Sequence, residues 1–559
     1  MSFFEKFNES YQRSFSDGNN KPGDISFQEK FLRFFKHFLK FLFGVGDPPL
    51  MDLPFPRQDI EKYYHLTSDK SGGEADCQTI RDLDLVKYID QFFPKISVFG
   101  QQILYSRVRG GIDDDEASLA KTRFTLLIED QELLEHLENI CKPLREVVTE
   151  VSEFLLVGHD VYVKKWIRYL WVLPAISILS LLLTALHWSA ILVFALSFLL
   201  SIYIQIITYN EISQWEPKRI ALNYMMKAAD NLAASRSAQN GNWFTVQFQD
   251  QSRSRREVAD FLRPSRLESY VPWIGEYADW FLLKNIIRHY NCVGSAKANK
   301  QILLDVFSKV GNLEADIAVA RHLSRCKRYC WVERHDKNKI SMAEVVNPFL
   351  VDASPISITF GEKGIFLSGQ NGVGKSTFLR TIGINMVVAR AFGFCYARYA
   401  SFLTCPVYTS IQNEDSLSDG ESLYMSELRR AKELLVTIDG PGKGVYIIDE
   451  IFRGTNHLES VAVASAFLNA LARKAIVVIS SHNLVLAPLL QNRLDALCIR
   501  RSVDDVRKVI IEPGVLADPN GISLMERYGF GNEIYQQARD IHRWLGDYMA
   551  HPEKIPDLL

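Results

Sequence analysis

The most apolar part of the chain is residues 169–210, which contain no Asp, Glu, Lys or Arg. This run is about twice the length that one membrane crossing needs. The polar group His187-Trp188-Ser189 lies near its midpoint. A turn there would leave two helices, from about 166 to 186 and from about 189 to 207, with Trp188 at the lipid-water interface. The pattern therefore predicts a transmembrane helical hairpin, and a hairpin buried in a large soluble domain is the alternative.

Charged residues at the two ends of this hairpin predict its orientation. Lys164, Lys165 and Arg168 flank the start of the first span, and Lys218 and Arg219 follow the second. Lys and Arg favour the cytoplasmic side of a membrane. We therefore expect a protein of the inner or cytoplasmic membrane with two spans, whose termini and remaining domains are cytoplasmic.

A second apolar pattern lies in the N-terminal segment, residues 1–60. In FLRFFKHFLKFLF, residues 31–43, polar residues recur at i, i+3, i+4 and i+7 from Arg33. This spacing places one basic stripe along a Phe/Leu helix. Such a helix would lie in a membrane interface or pack on the protein's own core, and the pattern leaves both open.

The overall charge gives no general attraction to nucleic acid, because 64 Lys and Arg balance 66 Asp and Glu in 559 residues. One local exception is RHLSRCKRYCWVERHDKNK, residues 321–339, which is basic and contains Tyr329 and Trp331. It is either a contact for a phosphate backbone or a solvated surface. The eight cysteines contain no CxxC pair, which fits reduced thiols in the cytosol. Cys326 and Cys330 lack the second pair of ligands that structural zinc sites usually have.

A phosphate-binding loop is predicted by IFLSGQNGVGKSTFLRTIGIN, where a short apolar strand, Ile365 to Leu367, precedes a glycine-rich loop and a helix. Backbone N–H groups of the loop and of the helix N-terminus would face the phosphates of ATP. Lys375 would reach the β and γ oxygens, and the Ser376 hydroxyl would bind Mg²⁺. The predicted ATP-binding residues are Gly369, Gln370, Asn371, Gly372, Val373, Gly374, Lys375, Ser376 and Thr377.

Two further apolar strands end in residues suited to ATP hydrolysis. Val445 to Ile448 is followed by Asp449 and Glu450, and the apolar strand of AIVVISSHN ends at the predicted γ-phosphate sensor His482. Carboxylates at a strand end beside a phosphate-binding loop can hold Mg²⁺ and activate water. We therefore assign Asp449, with Ser376, to the metal. Glu450, His482 and Lys375 are the predicted catalytic residues.

The stretch EDSLSDGESLYMSELRRAKELL predicts a polar loop that leads into a helix, with Ser416, Ser418 and Ser422 near the helix N-terminus. A free helix N-terminus binds anions. Since the phosphate-binding loop already serves its own nucleotide, we expect this loop to complete the site of a second subunit. The hypothesis is a homodimer that encloses two ATP molecules, with Ser422 acting in trans.

Four segments, GQNGVGKSTFLRTIGIN, DSLSDGESLYMSEL, IIDEIFRGTN and SSHN, together resemble the ATPase domain of the MutS family of DNA mismatch-repair ATPases, in the family's order. The resemblance covers about 340 to 545. It implies the ATP, Mg²⁺ and catalytic roles just given, with Ser422 offered across the dimer. The loop Gln370-Asn371-Gly372-Val373-Gly374 departs from the family's usual Pro-Asn-Met-Gly-Gly and is closer to the general ABC-type loop.

A weaker resemblance extends to residues 80–109, which look like the helical core and lever of the same family. The expected fold is an all-α core and lever, 61–165 and 210–340, interrupted by the hairpin, 166–209. An α/β P-loop ATPase domain of the ABC-like, MutS type, 341–559, follows it. About 80 residues precede the helical core, too few for the separate mismatch-reading and connector domains, which would each need about 100 residues.

The expected function is that of a membrane-anchored ATPase that couples hydrolysis at composite dimer sites to movement of the lever helices. DNA at the membrane is one partner that these helices would act on. The alternative is an ATP-gated switch for the membrane or for partner proteins, with no role for nucleic acid. A solute pump is disfavoured, because a dimer would have only four spans.

Overall fold

The computed structural model describes most of the chain between residues 55 and 550. The described residues are 55–68, 73–158, 165–235, 243–249, 252–262, 281–334, 339–351, 353–361, 363–402, 404–411, 423–438, 444–502, 508–516, 522, 525 and 528–550. The predicted basic helix, residues 31–43, and the predicted trans-acting Ser422 lie outside them.

The α-helices of the described residues are bounded as follows. They are α1 (Arg57–Thr67), α2 (Cys77–Asp82), α3 (Leu85–Asp90), α4 (Val98–Gly110), α5 (Asp114–Glu129), α6 (Gln131–Cys141), α7 (Ser152–Leu156), α8 (Val172–Leu183), α9 (Ala190–Ala234), α10 (Trp243–Val246), α11 (Ser252–Leu262), α12 (Lys284–Ala298), α13 (Lys300–Arg325), α14 (Lys375–Phe392), α15 (Leu423–Thr437), α16 (His457–Ala472), α17 (Leu486–Leu489) and α18 (Asn532–Ala550). Two 3₁₀ helices cover Lys142–Glu146 and Lys165–Tyr169.

The β-strands belong to the C-terminal part of the described chain. They are β1 (Cys330–Trp331), β2 (Ile340–Val345), β3 (Ile356–Phe360), β4 (Gly364–Gly369), β5 (Phe394–Cys395), β6 (Tyr399–Ser401), β7 (Val407–Ser410), β8 (Val445–Asp449), β9 (Ile476–Ser480), β10 (Leu494–Arg501) and β11 (Val509–Pro513).

The chain divides into two compact units. Among the described residues, the helical unit comprises those within 55–60, 97–99 and 139–311, and the α/β unit comprises those within 61–96, 100–138 and 312–550. The domain boundaries expected from the sequence stay predictions.

The predicted helical hairpin is present in the helical unit. Residues 184–189 form the turn, so the first helix ends at Leu183 and not at Leu186 as expected, and α9 continues 27 residues past Ile207 to Ala234. By length and composition, the segment Trp166–Leu183 and α9 can each cross a membrane. Their most apolar 18 residues have mean hydropathies of 1.8 and 2.5, and only 28% and 22% of these residues are buried.

Polar groups of the hairpin lie between its two helices. Ser177 and Ser197 face each other with their Oγ atoms 2.8 Å apart, and Ser180 and Ser201 are also buried. Each of the four hydroxyls lies within hydrogen-bond distance of a carbonyl oxygen of its own helix. Small hydroxyl residues allow close helix packing in lipid. The hairpin is thus polar inside and apolar outside.

Towards the C-terminal end of the second hairpin helix, α9 packs on α12 through polar side chains. Gln205 and Asn285 exchange two amide hydrogen bonds of 3.0 and 2.9 Å, and Tyr290 donates to Glu211. The ring of His289 packs edge-on against Trp215, with centroids 6.4 Å apart. Neither ring nitrogen of His289 has a hydrogen-bond partner among the described residues.

The α/β unit is built on a six-stranded sheet in the order β11-β10-β4-β9-β8-β7. The strands from β10 to β7 are parallel, and β11 is an antiparallel edge strand. β8 and β9 are apolar runs of branched and aromatic residues that are buried on both faces, as parallel strands usually are. Parallel alignment brings the carboxyl ends of β4, β9 and β8 to one edge, where sites of open α/β sheets form.

Candidate functional site

The loop after β4 and the start of α14 form a glycine-lined cradle. Gly372 and Gly374 have φ angles of +73° and +108°, and a Cβ at either position would meet no atom within 4 Å. Glycine is required there because this backbone conformation strains other residues. Gly374 caps α14, so the free N–H groups of the helix start face this open space. The cradle fits the phosphates of a nucleotide.

Lys375 lies folded into the loop that precedes it. Its Nζ donates to the carbonyl oxygens of Gly369 at 2.9 Å and Gln370 at 3.3 Å, and it is 3.5 Å from Nε2 of His482. Burial lowers the pKa of Lys375, while the charges of Glu450 and Asp449 oppose this shift. The ammonium group is therefore beside the cradle, in contact with polar groups that phosphate oxygens can replace.

Glu450 and His482 meet at the ends of the neighbouring strands β8 and β9. Glu450 Oε1 is 3.0 Å from His482 Nε2. The hydrogen bond from His482 lowers the pKa of Glu450. Burial raises this pKa, whereas the charges of Arg453 and Lys375 lower it further. The carboxyl is therefore ionised at neutral pH, as a group that accepts a proton from water must be.

The three predicted catalytic side chains, Lys375, Glu450 and His482, thus form one chain of contacts. The two predicted metal ligands lie at the same sheet edge: Asp449 is the last residue of β8, and Ser376 is the second residue of α14. Both are half-buried, and Thr377 is exposed on the next position of the helix. An aspartate and a hydroxyl beside a phosphate cradle are the donor set that Mg²⁺ takes in P-loop enzymes. The residues present therefore fit a magnesium-nucleotide complex.

Two further charged residues adjoin this site and were not expected from the sequence. Arg453 Nη1 is 3.2 Å from Glu450 Oε2, and Arg453 Nε is 3.7 Å from Oε1 of Glu427 on α15. The Glu427 side chain is fully buried. Its position within the apolar pattern of α15, beside Leu428, is the only sequence signal that could have singled it out.

The basic stretch around Trp331 is largely occupied by contacts within the α/β unit. Arg321, Arg328 and Arg334 form ion pairs with Glu138, Glu344 and Asp114, respectively. Trp331 stacks on Phe124, with ring centroids 6.2 Å apart. These contacts favour the interpretation of the described part of this stretch as an ordinary surface.

The parallel sheet carries a glycine cradle after β4, an imidazole after β9 and two carboxylates at the end of β8. This arrangement defines a P-loop ATPase domain. Residues 365–546 match the family model of MutS domain V, which is an ATPase domain. The chain therefore contains a MutS-type ATPase domain. This confirms the resemblance for that part of the sequence and the expected enzyme class.

Similar proteins match part of the chain. The DNA mismatch repair protein MutS of Thermus thermophilus is 28% identical over 190 residues, 33% of this chain and 23% of the relative. The MutS protein homolog 4 of Mus musculus is 31% identical over 134 residues, 24% of this chain and 14% of the relative. Endonuclease MutS2 of Thermus thermophilus is 29% identical over 177 residues, 31% of this chain and 23% of the relative. The chain thus spans less than a quarter of the length of these relatives.

Proposed function

We propose that this protein is a membrane-anchored ATPase that hydrolyses ATP at composite sites of a homodimer and couples hydrolysis to movement of its helical unit. The observation that carries the ATPase proposal is the contact chain from Lys375 through His482 to Glu450 beside the glycine cradle. The anchor and the dimer rest on separate observations.

In the proposed reaction, water attacks the γ-phosphorus of ATP, Glu450 accepts one proton of that water, and the bond from the γ-phosphorus to the β–γ bridging oxygen breaks, so that ADP and phosphate leave. His482 orients the Glu450 carboxylate through its hydrogen bond and lies close enough to Lys375 to respond to the γ-phosphate. Lys375 stabilises the charge on the phosphate oxygens. Ser376 and Asp449 would hold Mg²⁺, which supplies further charge neutralisation when bound.

Exposure of the hairpin supports the membrane anchor. Leu182, Leu186 and Leu196 are 68%, 76% and 71% exposed, whereas the serines between the helices are buried. Large apolar exposure is unusual on a monomeric soluble surface and is expected where lipid covers the helices. We therefore place the protein in the inner or cytoplasmic membrane, with the ATPase domain on the cytoplasmic side.

The homodimer is supported by the position of α15. This helix begins at Leu423, directly after Ser422, while the cradle of the same chain is formed by β4 and α14. In the proposal Ser422 completes the ATP site of a second subunit, so two ATP molecules lie between two chains.

Two processes can be driven by such a dimer. A switch that acts on the membrane or on a partner protein is favoured by the balanced net charge and by the paired arginines around Trp331. DNA is the second candidate, because one of the relatives named above is a DNA mismatch repair protein and another is an endonuclease.

The first experiment is ATP turnover of the detergent-purified protein at low salt, with and without duplex DNA. Lys375→Ala is the blank. Glu450→Gln should keep ATP binding and lower turnover at least about 100-fold, because the amide cannot accept the proton. Unchanged turnover in Glu450→Gln would remove this residue from the mechanism.

The comparison of turnover with and without DNA separates the two candidate processes. A change in turnover with DNA that weakens as salt rises would support DNA as the partner, because phosphate contacts release counterions. A flat response with measurable basal turnover would support the membrane or partner-protein switch.

A further inference from the structure

The carboxyl end of β10 lies beside the start of the phosphate-binding loop. β10 pairs in parallel with β4 as far as the partners Ile499 and Gly369, and it pairs with the edge strand β11 as far as Arg501. A Cβ at Gly369 would lie 2.7 Å from the backbone oxygen of Ile499, so the two backbones touch where β4 ends. The last residues of β10 are therefore next to the loop, and β11 holds them there.

An exposed arginine at this end of β10 binds the backbone of the loop. Nη2 of Arg501 donates to the carbonyl oxygen of Gly372 at 2.9 Å. The following backbone N–H, that of Val373, donates to the carbonyl oxygen of Gln370 at 3.3 Å. The peptide unit between Gly372 and Val373 thus has a hydrogen-bond partner at both ends, and the partner of its carbonyl comes from outside the loop.

This peptide unit needs such partners because glycine lets it rotate. Gly372 and Gly374 have φ angles of +73° and +108°, and glycine loses more conformational freedom than any other residue when it is fixed. A rotation of the peptide unit would change which backbone groups face the cradle. A loop that becomes ordered only when its ligand binds lowers the affinity for that ligand.

We propose that Arg501 is a positioning residue that orders the phosphate-binding loop before ATP binds. Its guanidinium group fixes the Gly372 carbonyl, so that the backbone of the loop already has the conformation that receives the phosphates. Gly372 lies in the part of the loop that departs from the MutS pattern. The inference rests on the proposed ATPase function, and it adds a residue of β10 to the residues that serve the nucleotide.

A direct contact between Arg501 and the phosphates makes a different prediction. Such a contact would depend on the charge of the nucleotide, so its loss would weaken the binding of a triphosphate more than that of a diphosphate. Ordering of the loop instead affects every nucleotide whose phosphates the loop binds, and to a similar extent. A comparison of an ATP analogue with ADP therefore separates positioning from direct contact.

The test measures the affinities of the full-length protein in detergent for a non-hydrolysable ATP analogue and for ADP, together with the kcat and KM of ATP turnover. In Arg501→Ala both affinities should fall about fivefold, the usual effect of losing one hydrogen bond. KM should rise by a similar factor. The kcat should stay within about twofold of the parent, because the ordered loop binds the substrate and the transition state alike.

Arg500→Ala is the matched control. Arg500 precedes Arg501 on the same strand and its loss removes the same charge, but its side chain is 56% exposed and pairs with Glu512 on β11. Its affinities for both nucleotides should equal those of the parent. Arg501→Lys, which keeps a charged donor, should lose less affinity than Arg501→Ala.

Hydrogen exchange in the absence of nucleotide gives a second readout, which acts on the loop itself. The backbone amides of residues 369–374 should exchange faster in Arg501→Ala than in the parent, because the loop opens more often when the Gly372 carbonyl loses its partner. In Arg500→Ala they should exchange at the rate of the parent. Equal exchange in all three proteins would contradict the positioning role.

Unchanged affinities in Arg501→Ala, or a loss for the ATP analogue without a loss for ADP, would also overturn the positioning role. Neither result would affect the ATPase proposal, provided that the parent binds the analogue and that Lys375→Ala abolishes turnover. A parent that neither binds the analogue nor hydrolyses ATP would overturn the ATPase proposal itself.

Discussion

Burial holds the imidazole of His289 neutral in the helical unit. It lowers the pKa of this residue to about 4, while Glu211 and Glu216 oppose the shift. An unfolded chain would bind the proton near pH 6.5. The neutral form of His289 therefore contributes fully to the stability of the folded state above pH 6.5. This contribution to the free energy of unfolding is lost as the pH falls from about 6.5 to 4.

We predict that His289→Phe makes the protein less sensitive to acid. The loss of stability between pH 7 and pH 4 should be smaller than in the parent by up to about 3 kcal/mol. The measurement is the unfolding transition in detergent as a function of pH. His542→Phe, at an exposed position of α18, should follow the parent. Equal pH dependence in His289→Phe and the parent would contradict the prediction.

Residues in contiguous motifs could be predicted from the sequence, and residues brought together by packing could not. Lys375 and Asp449 are marked by the strands and glycines next to them. The ion pair between Arg453 and Glu427 joins two residues that are 26 positions apart in the sequence and meet only in the fold. Ser422 remains a prediction.

At the scale of elements, the hairpin should be the membrane anchor. Replacing residues 166–207 by a short Gly/Ser loop removes the exposed apolar faces and leaves the sheet unchanged. We expect the variant to move from the membrane fraction to the soluble fraction and to retain ATP turnover. Lys375→Ala, which keeps the hairpin, should stay in the membrane fraction.

If the shortened protein stays in the membrane fraction, another segment must be the anchor. The basic Phe/Leu pattern of residues 31–43 would then be tested in the same way, by neutral polar substitutions along its apolar face.

Helix α2 is fixed to strand β7 by a buried carboxylate. Asp82 Oδ2 accepts from the hydroxyl of Thr409 at 2.7 Å and from the N–H of Ile411 at 2.8 Å. Asp82→Ala should lower the free energy of unfolding by about 3 kcal/mol, because it leaves these donors without their acceptor. Denaturant unfolding of the detergent-purified protein would measure the loss. Asp82→Asn, which keeps one oxygen, should lose less; equal losses would contradict the account.

The types of the main elements followed from periodicity, but their lengths did not. The charge-free run correctly predicted two helices with a turn near His187. The sequence predicted a helical lever from residue 210 onwards, separate from the hairpin, whereas α9 is one helix that continues through Pro217 to Ala234, although proline usually interrupts a helix. Side-chain packing along the helix, including buried Arg219 and Leu222, outweighs this local preference.

For the whole molecule, the sequence identified the ATPase domain because its loop, strand ends and helix starts are local features that occur in a fixed order. The family model matches residues 365–546, and the mismatch repair protein of Thermus thermophilus matches over 33% of the chain. The process that ATP hydrolysis drives has to be determined by the DNA and membrane experiments.

The length of α9 has a consequence for the reach of the protein above a bilayer. If residues 190–207 cross the hydrocarbon, the remaining 27 residues of the 45-residue helix extend about 40 Å along the axis. The field of charged lipid headgroups decays with a screening length of about 8 Å at physiological ionic strength. If α9 is perpendicular to the bilayer, its C-terminal end therefore lies beyond the electrostatic influence of the headgroups. Partners there would be selected by the protein's own charges, independently of the lipid composition.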